Sequence, residues 1–246
     1  MNRILFSPGE TAGGSATVED ARAEHILGVL HGEVGDTLKT GELDGPIGTG
    51  TIVAIDGAKV TLRLDHTQAS LEPWVDLILA PPRPRVLKRL LPQLAAMGAG
   101  QIVLVGAKKV EKDFWGATLL KEEIYRPLLV DGLMQAGTSI MPQILPRRNF
   151  RAFVRDEMDG LFPHSRRIVA HPYAKESPQG PDPDGKGAIS CTPDPAARLL
   201  LAVGPEGGWT DDEVEMLEAK GFSRYSLGGR ILRTDTALIA LLARLG

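Results

Sequence analysis

The chain has 246 residues, 43% of them apolar, and a formal net charge of −3 at pH 7. This length and composition suffice for a real hydrophobic core and predict a globular protein of one large domain or two smaller ones. The sequence contains no run of eighteen apolar residues, and Ser7-Pro8-Gly9 interrupts the first apolar stretch; these features exclude a transmembrane helix and a signal peptide, so we expect a cytoplasmic protein without a membrane partner.

Residues 1–70 predict a small β-rich domain with one early helix. Apolar residues recur at helical spacing over 19–30, and then the period changes to two. The predicted helical face consists of Ala23, Ile26, Leu27 and Leu30. The predicted strands are 37–40, 50–55 and 59–64, with turns at Asp44-Gly45 and Asp56-Gly57. This pattern is typical of a small barrel.

Residues 71–246 predict an α/β domain, because strands and helices alternate from Trp74 onward. The predicted strands are 74–80, 101–105, 143–145, 167–171, 199–203 and 224–227. One helical face runs through Val86, Leu87, Leu90, Leu91, Leu94 and Met97 before Gly98, and another through Ile124, Leu128, Leu129 and Leu133. Pro92 should kink the first of these helices, and Pro127 lies in the second.

Two further segments have distinct compositions. Residues 172–197 are rich in Pro, Gly and Asp and predict an exposed loop. The single cysteine, Cys191, lies there and can form neither an internal disulfide nor a zinc site.

The segment between residues 83 and 112 contains seven basic residues and one acidic residue. The bases are Arg83, Arg85, Lys88, Arg89, Lys108, Lys109 and Lys112, and a second basic cluster follows with Arg147, Arg148, Arg151 and Arg155. Either the clusters are solvated helix faces or they contact the phosphates of a nucleic acid.

Two Gly-rich loops follow predicted strands near the end of the chain. The first loop, residues 204–209, reads Gly-Pro-Glu-Gly-Gly-Trp after the apolar strand 199–203; the second loop, residues 227–237, includes Arg230 and Arg233 around Ile231-Leu232. Glycine lets a backbone approach a ligand closely, and open α/β sheets bind ligands at the carboxyl ends of their strands. We expect the two strands to be neighbours and the loops to share one pocket, although the first loop alone could be a structural turn.

The chemistry of the two loops limits the classes of ligand that we expect to bind there. Neither a Walker loop nor a dinucleotide-binding Gly-x-Gly-x-x-Gly motif is present. Thr210-Asp211-Asp212-Glu213 predicts a capping box that opens a helix, which Gly221 closes, and we expect the helix to direct N–H groups toward the pocket. Two arginines flanking two apolar residues suit a ligand with a flat face and a polar end.

The sequences LLLAVGPEGGW (199–209) and LGGRILRTDTA (227–237) resemble those of the RsmE family, SPOUT-class methyltransferases that act on N3 of a uridine in 16S ribosomal RNA. The resemblance extends to Ala170-His171-Pro172, and to residues 25–30 with Gly35-Asp36. The family usually has Thr-Glu-Thr where this chain has Thr234-Asp235-Thr236, which indicates a divergent branch. The resemblance implies a PUA-like RNA-binding barrel at residues 1–70, a methyltransferase domain with a deep trefoil knot at 71–246, and a homodimer.

The resemblance also implies a binding site for S-adenosylmethionine, without a metal, in loops 170–172, 203–208 and 227–233. Backbone groups of Leu227, Ile231 and Leu232 would hold the adenine, and the Gly204 to Gly208 turn would approach the ribose and methionine. The implied cofactor-binding residues are His171, Pro172, Val203, Gly204, Pro205, Glu206, Gly207, Gly208, Leu227, Gly228, Ile231 and Leu232. A Cβ at Gly207 or Gly228 would block the ligand or force an unfavourable φ.

Methylation of uracil N3 requires loss of its proton, which spreads negative charge over O2 and O4. The enzyme should stabilise this charge, and an arginine is the natural stabiliser. Arg230, Arg233 and Glu206 are the candidate catalytic residues. Asp235 is a base, an orienting group or a helix cap, and His171 is either a backbone-orienting residue or a base.

The expected partner is 16S ribosomal RNA or the small ribosomal subunit. Two rival functions stay open at this point: a non-catalytic RNA-binding ribosome-assembly factor, and an α/β enzyme that binds another adenine ligand.

Overall fold

A computed structural model describes residues 2–163, 165–172 and 198–246. The predictions for 173–197, including the exposed loop and Cys191, lie outside these residues. The chain divides into two compact units, Met1–Leu71 with Val130–Met141, and Glu72–Leu129 with Pro142–Gly246. Within the described residues, no helix is long and apolar enough to cross a membrane.

The first unit contains a five-stranded sheet in the order β1-β3-β4-β5-β2. Its strands are β1 (Ile4–Phe6), β2 (Ser15–Val18), β3 (Thr37–Glu42), β4 (Ile47–Asp56) and β5 (Lys59–Gln68). The pairing of β1 with β3 is parallel and the other three are antiparallel. Sequence analysis assigned no strand at β1 or β2, because three or four residues are too few to show a period of two.

The helix of this unit is shorter than predicted. It spans Ala21–Gly28 (α1), and its N-cap Asp20 accepts a hydrogen bond from the Arg22 N–H. Ala23 and Ile26 are buried as expected, but Leu30 is 45% exposed. The placement of Leu30 on the apolar face was wrong because the helix ends at Gly28. The turns at Asp44 (φ 57°) and Gly57 (φ 58°) are confirmed.

The second unit is built on a six-stranded sheet in the order β11-β9-β10-β6-β7-β8. Its strands are β6 (Val75–Leu79), β7 (Ala99–Val105), β8 (Gln143–Arg147), β9 (Arg166–Ala170), β10 (Leu199–Val203) and β11 (Ser223–Tyr225). All five pairings are parallel, and every residue of β10 is buried. The predicted α/β class with a parallel sheet is therefore confirmed.

The expectation that the strands before the two loops are neighbours was wrong. Strand β9 lies between β10 and β11 and pairs with both. The order of strands in a sheet depends on long-range crossovers, which local periodicity does not report. The last strand is also shorter than predicted, because Ser226 and Leu227 already belong to the loop.

Helices accompany the sheet of the second unit. They are α2 (Pro84–Ala96), α3 (Glu122–Ala136), α4 (Phe150–Ala152), α5 (Met158–Leu161), α6 (Asp211–Ala219) and α7 (Thr234–Leu245), with 3-10 turns at Lys112–Gly116 and Thr118–Leu120 and a π-helical turn at Phe153–Glu157. Helix α3 leaves this unit after Leu129. Ile124 is 41% exposed, so its predicted place on a buried face was wrong. Since α7 starts at Thr234, the second loop ends at Arg233.

Candidate functional site

The carboxyl ends of β9, β10 and β11 open into one cavity of about 430 Å³, which we call the loop cavity. Residues 170–172 after β9, the first loop after β10 and the second loop after β11 all line it. The expectation of one pocket shared by the two loops is confirmed, although β9 separates their strands. Its volume lies in the range of roughly 300–1,000 Å³ that is usual for small-molecule sites.

Every residue that sequence analysis assigned to cofactor binding lines the loop cavity. They are His171, Pro172, Val203, Gly204, Pro205, Glu206, Gly207, Gly208, Leu227, Gly228, Ile231 and Leu232. The lining also includes Lys109, Trp209 and Thr234, which sequence analysis did not assign. Lys109 is about a hundred residues away from the loops along the chain, so no local signal could have placed it there.

The first loop is held by bonds within the protein. The Gly208 N–H donates to the Pro205 carbonyl at 2.8 Å, and Lys109 Nζ donates to the Gly207 carbonyl at 2.7 Å. Trp209 is 6% exposed and packs on Phe150 with 5.3 Å between ring centroids. The geometry of this loop is therefore set by contacts on both sides.

The predicted capping box follows the first loop and is confirmed. The Thr210 side chain accepts from the Glu213 N–H, and the Glu213 carboxylate accepts from the Thr210 N–H at 2.9 Å. The same buried carboxylate accepts from the Lys108 N–H at 2.7 Å. Glu213 thus joins the start of α6 to the segment after β7.

Of the two glycines at which we expected a Cβ to block the ligand or force an unfavourable φ, only Gly228 has an unfavourable φ. Gly228 has φ 109° and Gly208 has φ 68°, which are left-handed values that disfavour a side chain, whereas Gly207 is not in that region. A Cβ at Gly207 would instead lie 3.0 Å from Cδ of Lys109. The constraint at Gly207 is therefore a close approach of Lys109.

The second loop is much more exposed than the first. Ile231 is 76% exposed and Leu232 is 37% exposed. Among the described residues, no hydrogen bond engages the backbone N–H of Leu227, Ile231 or Leu232. These three groups lie in the cavity wall and are open to the acceptors of a ligand.

The two candidate arginines line different cavities. Arg230 lines the loop cavity, whereas Arg233 lines an adjoining cavity of about 640 Å³, the basic cavity. Its lining residues are Arg83, Val86, Arg89, Lys109, Glu111, Glu206, Gly207, Arg233, Thr234 and Asp235. Lys109, Glu206, Gly207 and Thr234 line both cavities and so form the shared wall.

Several arginines of the two basic clusters form ion pairs with nearby carboxylates, which neutralise part of the positive charge. Arg83 pairs with Glu111 at 3.1 Å and Arg89 with Asp235 at 3.6 Å. Asp235 also lies in the first turn of α7, which agrees with both alternatives given for it. In the second basic cluster three arginines are paired, namely Arg147 with Glu157, Arg151 with Asp212 and Arg155 with Asp156. Arg233 has no ion pair among the described residues.

His171 lies where the loop cavity meets the end of β9. Its backbone N–H donates to the Tyr225 carbonyl at 2.9 Å, extending the pairing of β9 with β11. Burial, with a smaller contribution from Arg224, lowers the pKa of the imidazole below its ordinary value. This shift favours the neutral form of the imidazole. No cluster of His, Cys, Asp and Glu in the described part of the chain could hold a metal ion.

Comparison with known proteins identifies the family. A model of the RNA methyltransferase domain matches residues 70–246. The chain is 30% identical to ribosomal RNA small subunit methyltransferase E of Treponema pallidum, over 99% of this chain and 90% of that protein. The chain belongs to the ribosomal RNA small subunit methyltransferase E family. A member from Synechocystis is 27% identical over 99% of this chain and 76% of its own length.

Two solved structures share the fold. Ribosomal RNA small subunit methyltransferase E from Neisseria gonorrhoeae, bound to S-adenosyl methionine, has a TM-score of 0.73 and 21% identity, covering 99% of this chain and 95% of its own. A protein from Legionella pneumophila described as a putative methyltransferase, in complex with the same cofactor, has a TM-score of 0.73 and 22% identity, covering 99% and 96%. The sequence resemblance to this family is thus confirmed over nearly the full length.

Proposed function

We propose that this protein transfers the methyl group of S-adenosylmethionine to N3 of a uridine in the RNA of the small ribosomal subunit. The observation that carries the proposal is the loop cavity, in which three strand-end loops bring together all the residues expected to bind the cofactor. Family membership and the cofactor-bound structures of two relatives support it.

The residues of the loop cavity fit the cofactor. The cavity has apolar walls at Val203, Leu227 and Leu241, which suit the faces of an adenine ring. The open N–H groups of Leu227, Ile231 and Leu232 match the acceptor edge of adenine. In the Gly204 to Gly208 turn, the three glycines contribute backbone without side chains on the ribose and methionine side. The bound cofactor supplies a methyl group on a sulfonium, which is already an activated leaving group.

The basic cavity is the proposed site of the target nucleotide, since it adjoins the loop cavity and contains Arg83, Arg89 and Arg233. Arg233 would stabilise the negative charge that develops on uracil O2 or O4, and Arg230 would contact the cofactor carboxylate from the loop cavity. Glu206 borders both cavities and would accept or orient the N3 proton. Those residues of the first basic cluster that form no ion pair with the described part of the chain, Lys88 among them, would hold RNA phosphates.

Four finer expectations accompany this proposal: a deep trefoil knot in the second unit, a PUA-like RNA-binding barrel in the first, a homodimer and a cytoplasmic location. Support for the first two comes from the parallel sheet of the second unit, the five-stranded sheet of the first and the likeness to family structures. For the dimer and the location, the support is the family resemblance.

Methyl transfer to small ribosomal subunits tests the proposal. The subunits should come from cells that lack the endogenous methylation, so that N3 of the target is free. Assembled particles are the substrate of choice, because extraction of a paired or stacked uridine costs energy that a bare transcript does not supply. A methyl group on uracil N3 blocks base pairing, so a new stop in primer extension locates the product. Cofactor binding without methyl transfer would favour the non-catalytic assembly factor, and no binding by the folded protein would overturn the methyltransferase function.

The variant Arg233→Ala sharpens this test. Removal of one group that stabilises transition-state charge lowers kcat by roughly 10²–10³-fold. Arg166→Ala is the matched control, because Arg166 is an exposed arginine at the amino end of β9, away from the carboxyl ends where the cavities lie. Equal activity of the two variants would remove Arg233 from the mechanism.

A further inference from the structure

Lys109 connects the two cavities. It follows β7, lines both the loop cavity and the basic cavity, and extends its ammonium to the first loop. Nζ lies 2.7 Å from the Gly207 carbonyl oxygen and 3.5 Å from that of Trp209. A charged donor on a carbonyl forms a stronger hydrogen bond than a neutral pair does.

The segment that carries Lys109 is itself fixed. The neighbouring Lys108 N–H donates to the buried Glu213 carboxylate at 2.7 Å, and Glu213 also closes the capping box of α6. The first loop is thus joined to this segment at Gly207 and, just after the loop, at Glu213. The Lys109 side chain is braced at its base and can hold the Gly207–Gly208 peptide in one orientation.

We propose that Lys109 is a positioning residue for cofactor binding, which acts through the Gly207 carbonyl and not by touching the cofactor. Its ammonium holds the first loop in the conformation that borders the loop cavity. This inference rests on the proposed function, because it concerns the same S-adenosylmethionine site.

Positioning and simple electrostatics differ in what they predict without the cofactor. S-adenosylmethionine carries a sulfonium, an ammonium and a carboxylate, so a nearby lysine that acted only through its charge would repel the first two groups and attract the third. A lysine that positions the loop instead weakens binding when it is removed and also loosens the loop in the free protein. The direction of the change in affinity is therefore compared with amide exchange measured without the cofactor.

Titration calorimetry with S-adenosylmethionine measures this direction. We expect Lys109→Met, which keeps the aliphatic stem, to weaken binding about tenfold, and Lys109→Arg to recover most of the loss because a guanidinium can also donate to the carbonyl. Lys108→Met is the matched control for cofactor affinity, since it removes the same charge one residue away and should stay within about twofold of the wild type. In turnover, Lys109→Met should raise the KM for the cofactor more than it lowers kcat.

A double-mutant cycle tests transmission through the lysine. In Gly207→Ala, the new Cβ lies 3.0 Å from Lys109 Cδ, so the lysine side chain must shift by a few tenths of an ångström. Gly207→Ala should therefore weaken binding strongly in the wild type and little in Lys109→Ala, where no side chain is left to displace. Equal losses in both backgrounds would show that the Cβ acts on the cofactor directly and would overturn the proposal.

The remaining outcomes are also distinct. Wild-type binding with unchanged or tighter binding by Lys109→Met overturns the role of Lys109 and leaves the proposed function intact. A folded wild-type protein that binds no S-adenosylmethionine overturns the proposed function and this inference with it. Amide exchange at Gly208, whose N–H donates to Pro205, gives a readout without cofactor and should be faster in Lys109→Met than in Lys108→Met.

Discussion

The two Gly-rich loops border the same cavity, but they differ in how many contacts with the rest of the protein hold them in place. The first loop is closed by its own backbone bond, clamped by Lys109 and anchored by the buried Trp209. In the second loop, Ser226 Oγ donates to the Pro172 carbonyl at 3.1 Å and bonds locally with Gly228, whereas Ile231 is largely exposed. One wall of the site is preformed, and the other keeps its polar groups open.

This difference indicates that the two loops contribute to ligand binding in different ways. A preformed wall lowers the conformational entropy lost on binding and so contributes affinity. An open wall with unengaged N–H groups and apolar side chains gains its contacts from the ligand itself. Changes in the first loop should therefore affect the stability of the fold, and changes in the second should affect ligand affinity alone.

The largest expected effect is on stability, in Trp209→Ala. The indole is almost completely buried against Phe150, and loss of such a side chain costs about 3–5 kcal/mol of unfolding free energy. Urea unfolding measures the change, with the half-buried Trp115→Ala as control. Trp209→Phe should cost much less, because Nε1 has no hydrogen-bond partner among the described residues. Equal destabilisation by the Trp209 and Trp115 truncations would contradict the view of the first loop as anchored.

The second-largest expected effect is also on the free energy of unfolding, in Glu213→Ala. This change leaves the N–H groups of Thr210 and Lys108 without their acceptor and removes half of the capping box, which should cost about 2 kcal/mol. Glu215→Ala removes an exposed carboxylate from the same helix and should cost a few tenths of a kcal/mol. If both variants unfold at the same urea concentration, the hydrogen bonds of Glu213 do not stabilise the fold as described.

Gly228→Ala and Gly229→Ala form a matched pair in the second loop. Gly228 has φ 109°, whereas Gly229 has no left-handed φ, and neither position has atoms within 4 Å of a new Cβ. We expect Gly228→Ala to weaken binding of S-adenosylmethionine about tenfold, or about 1.4 kcal/mol, by shifting the loop backbone. Gly229→Ala should bind normally, and calorimetry compares the two. A large loss of stability in Gly228→Ala would mean that the second loop is not open as described.

The smallest effect concerns His171, at the edge between the loops. Burial and Arg224 lower its pKa in the folded state, while Asp211 and Glu218 oppose this, so the folded protein binds fewer protons than the unfolded chain just below the ordinary value of about 6.5. Stability should therefore fall slightly as pH drops through that range. NMR titration of the imidazole should give a pKa below that of a histidine in a model peptide. His171→Gln should reduce the loss of stability on acidification, and an unchanged pH dependence would argue against this account.

Much of the site could be predicted because its signals are local. The capping box of Thr210 and Glu213, the left-handed turn at Gly228 and the strand before the first loop each depend on residues close together in sequence. The helix boundaries were less accurate, since Leu30 and Ile124 continue a helical spacing without lying on a buried face.

The sequence by itself determined the α/β class and the glycine turns, because spacing and composition encode local conformation, and its resemblance to the family implied which residues line the loop cavity. Only the tertiary structure decided that β9 separates β10 from β11, that Arg230 and Arg233 line different cavities, and that Lys109 clamps the first loop. These features depend on the order in which crossovers place the strands and on contacts between residues about a hundred positions apart. Periodicity along the chain carries no information about either.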